Sequence, residues 1–206
     1  MNKKFIAIAG NIGIGKSTLT KKVAEHFGWK PYLEPVTENP YLKDFYADMK
    51  KWAFHSQMFF LGKRLQDNYE LVKEKSSVIQ DRSLYENAEI FAKYLFKRGF
   101  ISKRDWDVYQ TIYRTCIKIL PAPDLVIYLK ASVDKIIQRI QSRGRDFEKD
   151  ISKQYLADLN NLYDDWAGNF KLAQTVVINY DDLDLKNNTI DFESFLEVMR
   201  EYLDKR

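Results

Sequence analysis

Gly10-Asn11-Ile12-Gly13-Ile14-Gly15-Lys16-Ser17-Thr18 decides how the rest of this chain is read. Its first eight residues fit the spacing G-x-x-x-x-G-K-[ST]. Phe5 to Ala9 before it form a short, unbroken apolar run, the pattern of a strand buried on both faces. Lys16 to Phe27 after it carry Leu19, Val23 and Phe27 on one helical face, and Gly28 marks the stop. Glycines let a backbone wrap round an anion with its N–H groups inward. The new helix adds unpaired N–H groups and the positive end of its dipole. In this reading residues 10–18 cradle the phosphates of a nucleoside triphosphate, Lys16 reaches the β/γ-phosphates, and the Ser17 hydroxyl is placed for Mg²⁺.

Outward from this loop, strands alternate with helices. Tyr32-Leu33, Ser77 to Gln80, Leu125 to Leu129 and Thr175 to Ile178 read as further strands. Tyr41 to Asp48, Trp52 to Val72, the stretch from Ser83 to Phe96, Ser102 to Leu120, Ser132 to about Ser142, Ser152 to Phe170 and Asp191 to Leu203 read as helices. The order predicts an α/β fold: a five-stranded parallel sheet with helices on both faces. At 206 residues one domain spanning 1–206 is expected, with a small Arg-rich lid at about 143–151. Asp181 to Thr189 reads as a surface loop.

Composition narrows the classes. One cysteine (Cys116) and two histidines (His26, His55) exclude a disulfide framework and a Cys- or His-rich metal site. No uncharged stretch exceeds 11 residues, too short to span a bilayer. Lys3-Lys4 and the apolar run after them lead into glycines and Lys16, not into a cleavage site. A cytoplasmic protein without a membrane partner is expected. The net charge of +4 is too small and too dispersed to imply nucleic acid.

A switch GTPase needs Asn-Lys-x-Asp, which is absent, and its Asp-x-x-Gly occurs only at Asp165–Gly168, in a helical run. A small phosphoryl-transfer enzyme remains. In a parallel sheet, ligands sit beyond the carboxyl ends of the strands, where Glu34, Asp81 and Arg82 fall. A carboxylate facing a γ-phosphate is costly unless it has a task. Accepting a proton from an attacking hydroxyl is such a task, and it suits Glu34. Arg82 would hold that carboxylate and Asp81 would take Mg²⁺. Glu34 also reads as a turn residue before Pro35, and Asp81-Arg82-Ser83 as a plain helix cap. Arg139 and Arg143 are four apart on one helix face, with Arg145 close behind. They can stabilise phosphoryl charge or simply form a solvated face.

With Glu34-Pro35-Val36, Asn39-Pro40-Tyr41-Leu42, Phe45-Tyr46, Asp81-Arg82-Ser83 and Arg143-Gly144-Arg145-Asp146-Phe147-Glu148 in order behind the loop, the chain resembles the deoxynucleoside kinase family, in particular its bacterial deoxyadenosine/deoxyguanosine kinase branch. The resemblance implies a P-loop kinase fold and transfer of the ATP γ-phosphate to the 5′-hydroxyl of a deoxynucleoside, most readily deoxyadenosine. It implies Glu34 as general base with Arg82 beside it, and Tyr46 and Glu148 on the sugar 3′-hydroxyl. It also implies Gln57, Arg64 and Asn87 at the base edge, Phe91 stacked on the base, and a homodimer through the helices at 52–72 and 84–96. Asn87 departs from the family's common Asp, Ser56 from a larger apolar residue, and Asp81 from a common Glu. The rival readings are a thymidylate-type monophosphate kinase, which tends to have Arg where Leu33 stands, and a non-catalytic nucleotide-binding module.

Overall fold

The computed structural model describes residues 3–203. The outermost residues of the expected 1–206 domain, 1–2 and 204–206, lie outside the described residues. In chain order the elements are β1 (Phe5–Gly10), α1 (Lys16–Phe27), β2 (Lys30–Tyr32), α2 (Leu42–Ala47), α3 (Met49–Lys73), β3 (Val78–Asp81), α4 (Leu84–Glu86), α5 (Lys93–Lys97), α6 (Lys103–Ile119), β4 (Leu125–Lys130), α7 (Val133–Arg143), α8 (Lys153–Asn169), β5 (Gln174–Asn179) and α9 (Thr189–Leu203). The strands form one sheet in the order β2-β3-β1-β4-β5, and every pair is parallel.

Strand β1 is buried along its whole length, as its unbroken apolar run requires. The chain moves one way along the sheet from β1 to β2 and the other way thereafter. Right-handed crossovers therefore put α1 on one face and α2 to α8 on the other. Helix α9 joins α1: Phe192 meets His26 edge-on at 6.0 Å, and Lys22 Nζ lies 4.0 Å from its ring centre. On the opposite face the Tyr128 ring of β4 stacks on Tyr163 of α8 at 5.4 Å. Because β1 and β3 are neighbours that exit to opposite faces, a crevice opens between Gly10 and Asp81. It is the usual ligand position in such sheets.

Element bounds differ from expectation by a residue or more in several places, and three of these differences have a local cause or consequence. Strand β2 ends at Tyr32, short of Leu33, because its register is set by Lys30–Tyr32 pairing with Val78–Gln80. It is an edge strand, where Pro31 is tolerated. Helix α3 starts three residues before Trp52, at Met49, because the Asp48 side chain caps it by accepting from Lys51 N–H at 3.1 Å. Between α4 and α5 the chain widens into a π-helical stretch, Asn87–Ala92. Such stretches are rare and frequently mark functional sites.

Candidate active site

The phosphate loop leaves β1 through Gly10 (φ +147°) and Gly13 (φ +79°). A Cβ on Gly13 would lie 2.3 Å from Ile140 Cγ1 of α7, so only glycine admits this approach. No acidic residue stands in the first turn of α1, and no side chain caps it. Its leading N–H groups are thus available to an anion. Lys16 is buried and its ammonium donates to the Asn11 carbonyl at 2.9 Å. Burial, with Arg82 nearby, lowers the Lys16 pKa to about 8. The Ser17 hydroxyl donates to Asp81 Oδ2, and the other Asp81 oxygen is buried without a hydrogen-bond partner.

Opposite the loop, Glu34 Oε1 pairs with Arg82 Nε at 3.2 Å. Burial pushes the Glu34 carboxyl up, but Arg82, Lys16, Arg64 and Arg145 together bring it below the usual range. Arg82 is the one non-glycine residue with positive φ (65°) among the described residues. Its backbone N–H is held by Ile8 O at 3.0 Å, and its guanidinium lies 4.0 Å over the Phe91 ring and 3.4 Å from Gly10 O.

One cavity of about 600 Å³ joins these parts: Lys16, Ser17, Glu34, Arg82, Tyr46, Gln57, Asn87, Phe91 and Glu148 all line it. Gln57 Oε1 and Asn87 Oδ1 are buried without partners, two amides with capacity left for a polar ligand edge. Gln57 belongs to the buried stripe of α3 that includes Ala53, Phe60, Arg64, Asn68 and Leu71. Tyr46 stacks on Phe147 at 5.9 Å, and burial raises its phenol well above its ordinary pKa. It is therefore a neutral donor. Glu148 is 3% exposed and ion-paired with both Arg143 and Arg145.

Not every expected residue reaches the cavity. Arg64 shares a helix face with Gln57 but is fully buried and does not line it. Seven residues along α3, its guanidinium donates to the Asp81 carbonyl at 2.5 Å and pairs with Asp67 at 3.1 Å. In this structure Arg64 holds the end of β3 and does not stand at the cavity wall. Gly10, Asn11 and Ile14 of the loop do not line the cavity either, nor does Asp81, which is fully buried behind Ser17, whereas Ile12, Gly13, Gly15 and Thr18 do. The Asn11 side chain is turned to α8, bonding Leu156 O at 2.9 Å and Asn160 Oδ1 at 2.7 Å. Arg139 lines the cavity, but donates to the Ile14 and Tyr180 carbonyls at 2.7 and 3.1 Å. Arg143 is turned to Glu148. Tyr155, Tyr180, Lys186 and Asn187 also line the cavity and were not singled out by sequence. The last two lie in the polar stretch read as a surface loop, where composition gives no sign of a site.

Known proteins resemble this chain along most of its length. The family model described as deoxynucleoside kinase matches residues 6–204. A deoxyadenosine/deoxycytidine kinase of Bacillus subtilis (strain 168) is 36% identical over 195 residues, covering 94% of this chain and 90% of that protein. A deoxyguanosine kinase of the same organism is 34% identical over 207 residues, covering 97% of each. The solved structure of a deoxyadenosine kinase from M. mycoides, with products dCMP and a flexible dCDP bound, superposes with a TM-score of 0.84 at 31% identity. It covers 96% of this chain and 99% of that one.

Proposed function

The chain belongs to the deoxynucleoside kinase family, and on that footing we propose that Glu34 is the general base of a purine deoxynucleoside kinase, with deoxyadenosine as its best substrate. The enzyme transfers the γ-phosphate of ATP to the 5′-hydroxyl of a deoxynucleoside. One observation carries the finer reading: Glu34, paired with buried Arg82, lines the same cavity as the phosphate loop.

The loop N–H groups and Lys16 bind the donor phosphates. The 5′-hydroxyl enters between them and Glu34, and its proton passes to the Glu34 carboxylate as oxygen attacks phosphorus. Arg82 keeps that carboxylate ionised and aimed. Tyr46 donates to the sugar 3′-hydroxyl and Glu148 accepts from it. Gln57 and Asn87 meet the base edge, and Phe91 packs on the base. Ser17 and Asp81 would hold Mg²⁺, and the free Asp81 oxygen suits a hard cation; the ion would neutralise phosphate charge.

Deoxyadenosine is favoured over deoxyguanosine because Gln57 and Asn87 both leave oxygens free, and adenine presents a 6-amino donor where guanine presents a 6-carbonyl acceptor. Deoxyadenosine stands in the names of the B. subtilis deoxyadenosine/deoxycytidine kinase and the M. mycoides kinase, while the second B. subtilis relative is named deoxyguanosine kinase. The reading also includes one domain over 1–206, closure of residues 143–151 as a lid, a cytoplasmic homodimer, and no nucleic-acid partner. A substrate panel tests it. Deoxyadenosine should give the highest kcat/KM with ATP and Mg²⁺, ahead of deoxyguanosine and deoxycytidine, and thymidylate should not react. Turnover of thymidylate alone would overturn the assignment.

A further inference from the structure

Glu86 is fully buried and does not line the cavity. Its carboxylate meets four donors. Oε2 accepts the Ser83 N–H at 2.8 Å and the Ser83 hydroxyl at 3.2 Å. The Glu86 N–H returns a bond to Ser83 Oγ, which completes a capping box at the start of α4. That motif needs one carboxylate oxygen. The other, Oε1, accepts the Tyr163 hydroxyl at 2.9 Å and the backbone N–H of Gly10 at 3.3 Å.

The contact with Gly10 is the informative one. The β1–β3 register ends at Ile8–Asp81, so Glu86 takes over where the ladder stops and the phosphate loop begins. Gly10 is gripped on both sides, by Glu86 at its N–H and by Arg82 at its carbonyl. Through Ser83, the same Glu86 fixes the turn that carries Asp81 and Arg82. A neutral amide could not replace it. Each carboxylate oxygen faces a backbone N–H, which cannot reverse its polarity, and glutamine offers only one oxygen. One buried N–H would be left unpaired.

We propose that Glu86 is a positioning residue for phosphoryl transfer, setting the spacing between the phosphate loop and the Arg82–Glu34 pair. The inference rests on the reading of Glu34 and Arg82 given above. Misplacing reacting groups by about 1 Å can cost on the order of 100-fold in rate. An interaction made only in the transition state appears in kcat, not in KM.

The test compares native protein with Glu86→Gln and Tyr163→Phe, measuring kcat, KM for deoxyadenosine and ATP, and thermal midpoint. Tyr163→Phe removes a donor to the same carboxylate oxygen but leaves both backbone N–H groups paired. It calibrates plain destabilisation. Glu86→Gln should lose about 10- to 100-fold in kcat, with both KM values within about threefold of native. Tyr163→Phe should keep kcat within about threefold at a similar loss of thermal midpoint. A Glu86→Gln kcat within twofold of native overturns the proposal, as does an equal kcat loss in both variants. Should Glu86→Gln not fold, amide exchange at Gly10 in the native protein decides. Strong protection is expected, and exchange at the unprotected rate overturns it. Native protein inactive on every deoxynucleoside would sink the parent reading instead.

Discussion

Glu34→Gln separates the chemistry at position 34 from everything around it. The substitution keeps shape and one oxygen toward Arg82 but removes the proton acceptor. Loss of a general base lowers kcat by about 10² to 10⁴, or about 2.7 to 5.4 kcal/mol at 1.36 kcal/mol per decade. Stability should suffer less. The Glu34 and Arg82 side chains are 12% and 4% exposed, and breaking such a buried pair costs about 3 to 5 kcal/mol when one partner is left bare. Here Arg82 keeps the Gly10 carbonyl, the Phe91 ring and the glutamine oxygen, so the loss should fall below that range. ATP affinity should hold or tighten, because an anion facing the phosphates has been removed. Coupled detection of ADP release gives kcat, calorimetric titration gives ATP affinity, and urea unfolding gives stability. A kcat within tenfold of native would refute the base assignment. An ATP affinity weakened more than tenfold would show that Glu34 supports the loop instead.

Gly13→Ala forces a Cβ against Ile140 at a φ of +79°, and should cost about 2 to 5 kcal/mol in urea unfolding. Adding Ile140→Ala should relieve the overpacking share only; full recovery would mean the backbone strain is absent. Because Lys16 has its pKa lowered to about 8, and its charged form binds phosphate, kcat/KM for ATP should fall as pH rises through about 8. Since Glu34 lies below its ordinary value it stays ionised, and no acidic limb is expected between pH 5 and 7 in the same profile. A basic limb absent up to pH 9 would contradict the Lys16 environment. Arg64→Lys should lower kcat/KM for deoxyadenosine, deoxyguanosine and deoxycytidine by one common factor. A change in discrimination above tenfold would return Arg64 to the base edge.

The order of elements and the phosphate loop were legible because their signals are local. Buried parallel strands appear as continuous apolar runs, and the glycine spacing reports backbone geometry directly. Boundaries were less legible where a single contact set them: Asp48 capping α3, or the register that ends β2 at Tyr32. Arg64 shows that helical periodicity gives a face but not a depth. Seven residues along α3 from Gln57, the same face lies beneath the end of β3, where the Asp81 carbonyl takes the guanidinium. Glu86 was invisible for a different reason. Ser83-x-x-Glu86 reads as a capping box, and nothing local says that the second oxygen reaches 76 residues back to Gly10.

Asp81-Arg82-Ser83 shows how a helix cap and a reaction site occupy three consecutive residues. Ser83 does the capping, in extended backbone at φ −86° and ψ 166°. Asp81 ends the strand with its side chain on Ser17. Between the two, Arg82 must turn sharply, and it does so at φ 65°, which costs a non-glycine residue roughly 1 to 2 kcal/mol. The turn is what carries the guanidinium back over the end of β1 instead of along β3. Four contacts hold it there: Ile8 O on its N–H, and Gly10 O, Glu34 and the Phe91 ring on its side chain. Two of them come from β1, one from the Glu34 loop and one from the π-helical stretch. The strain is therefore stable only when β1, the Glu34 loop and the π-helical stretch are assembled together. A lysine at 82 would keep the charge, but not the planar group that meets a carboxylate edge and an aromatic face at once.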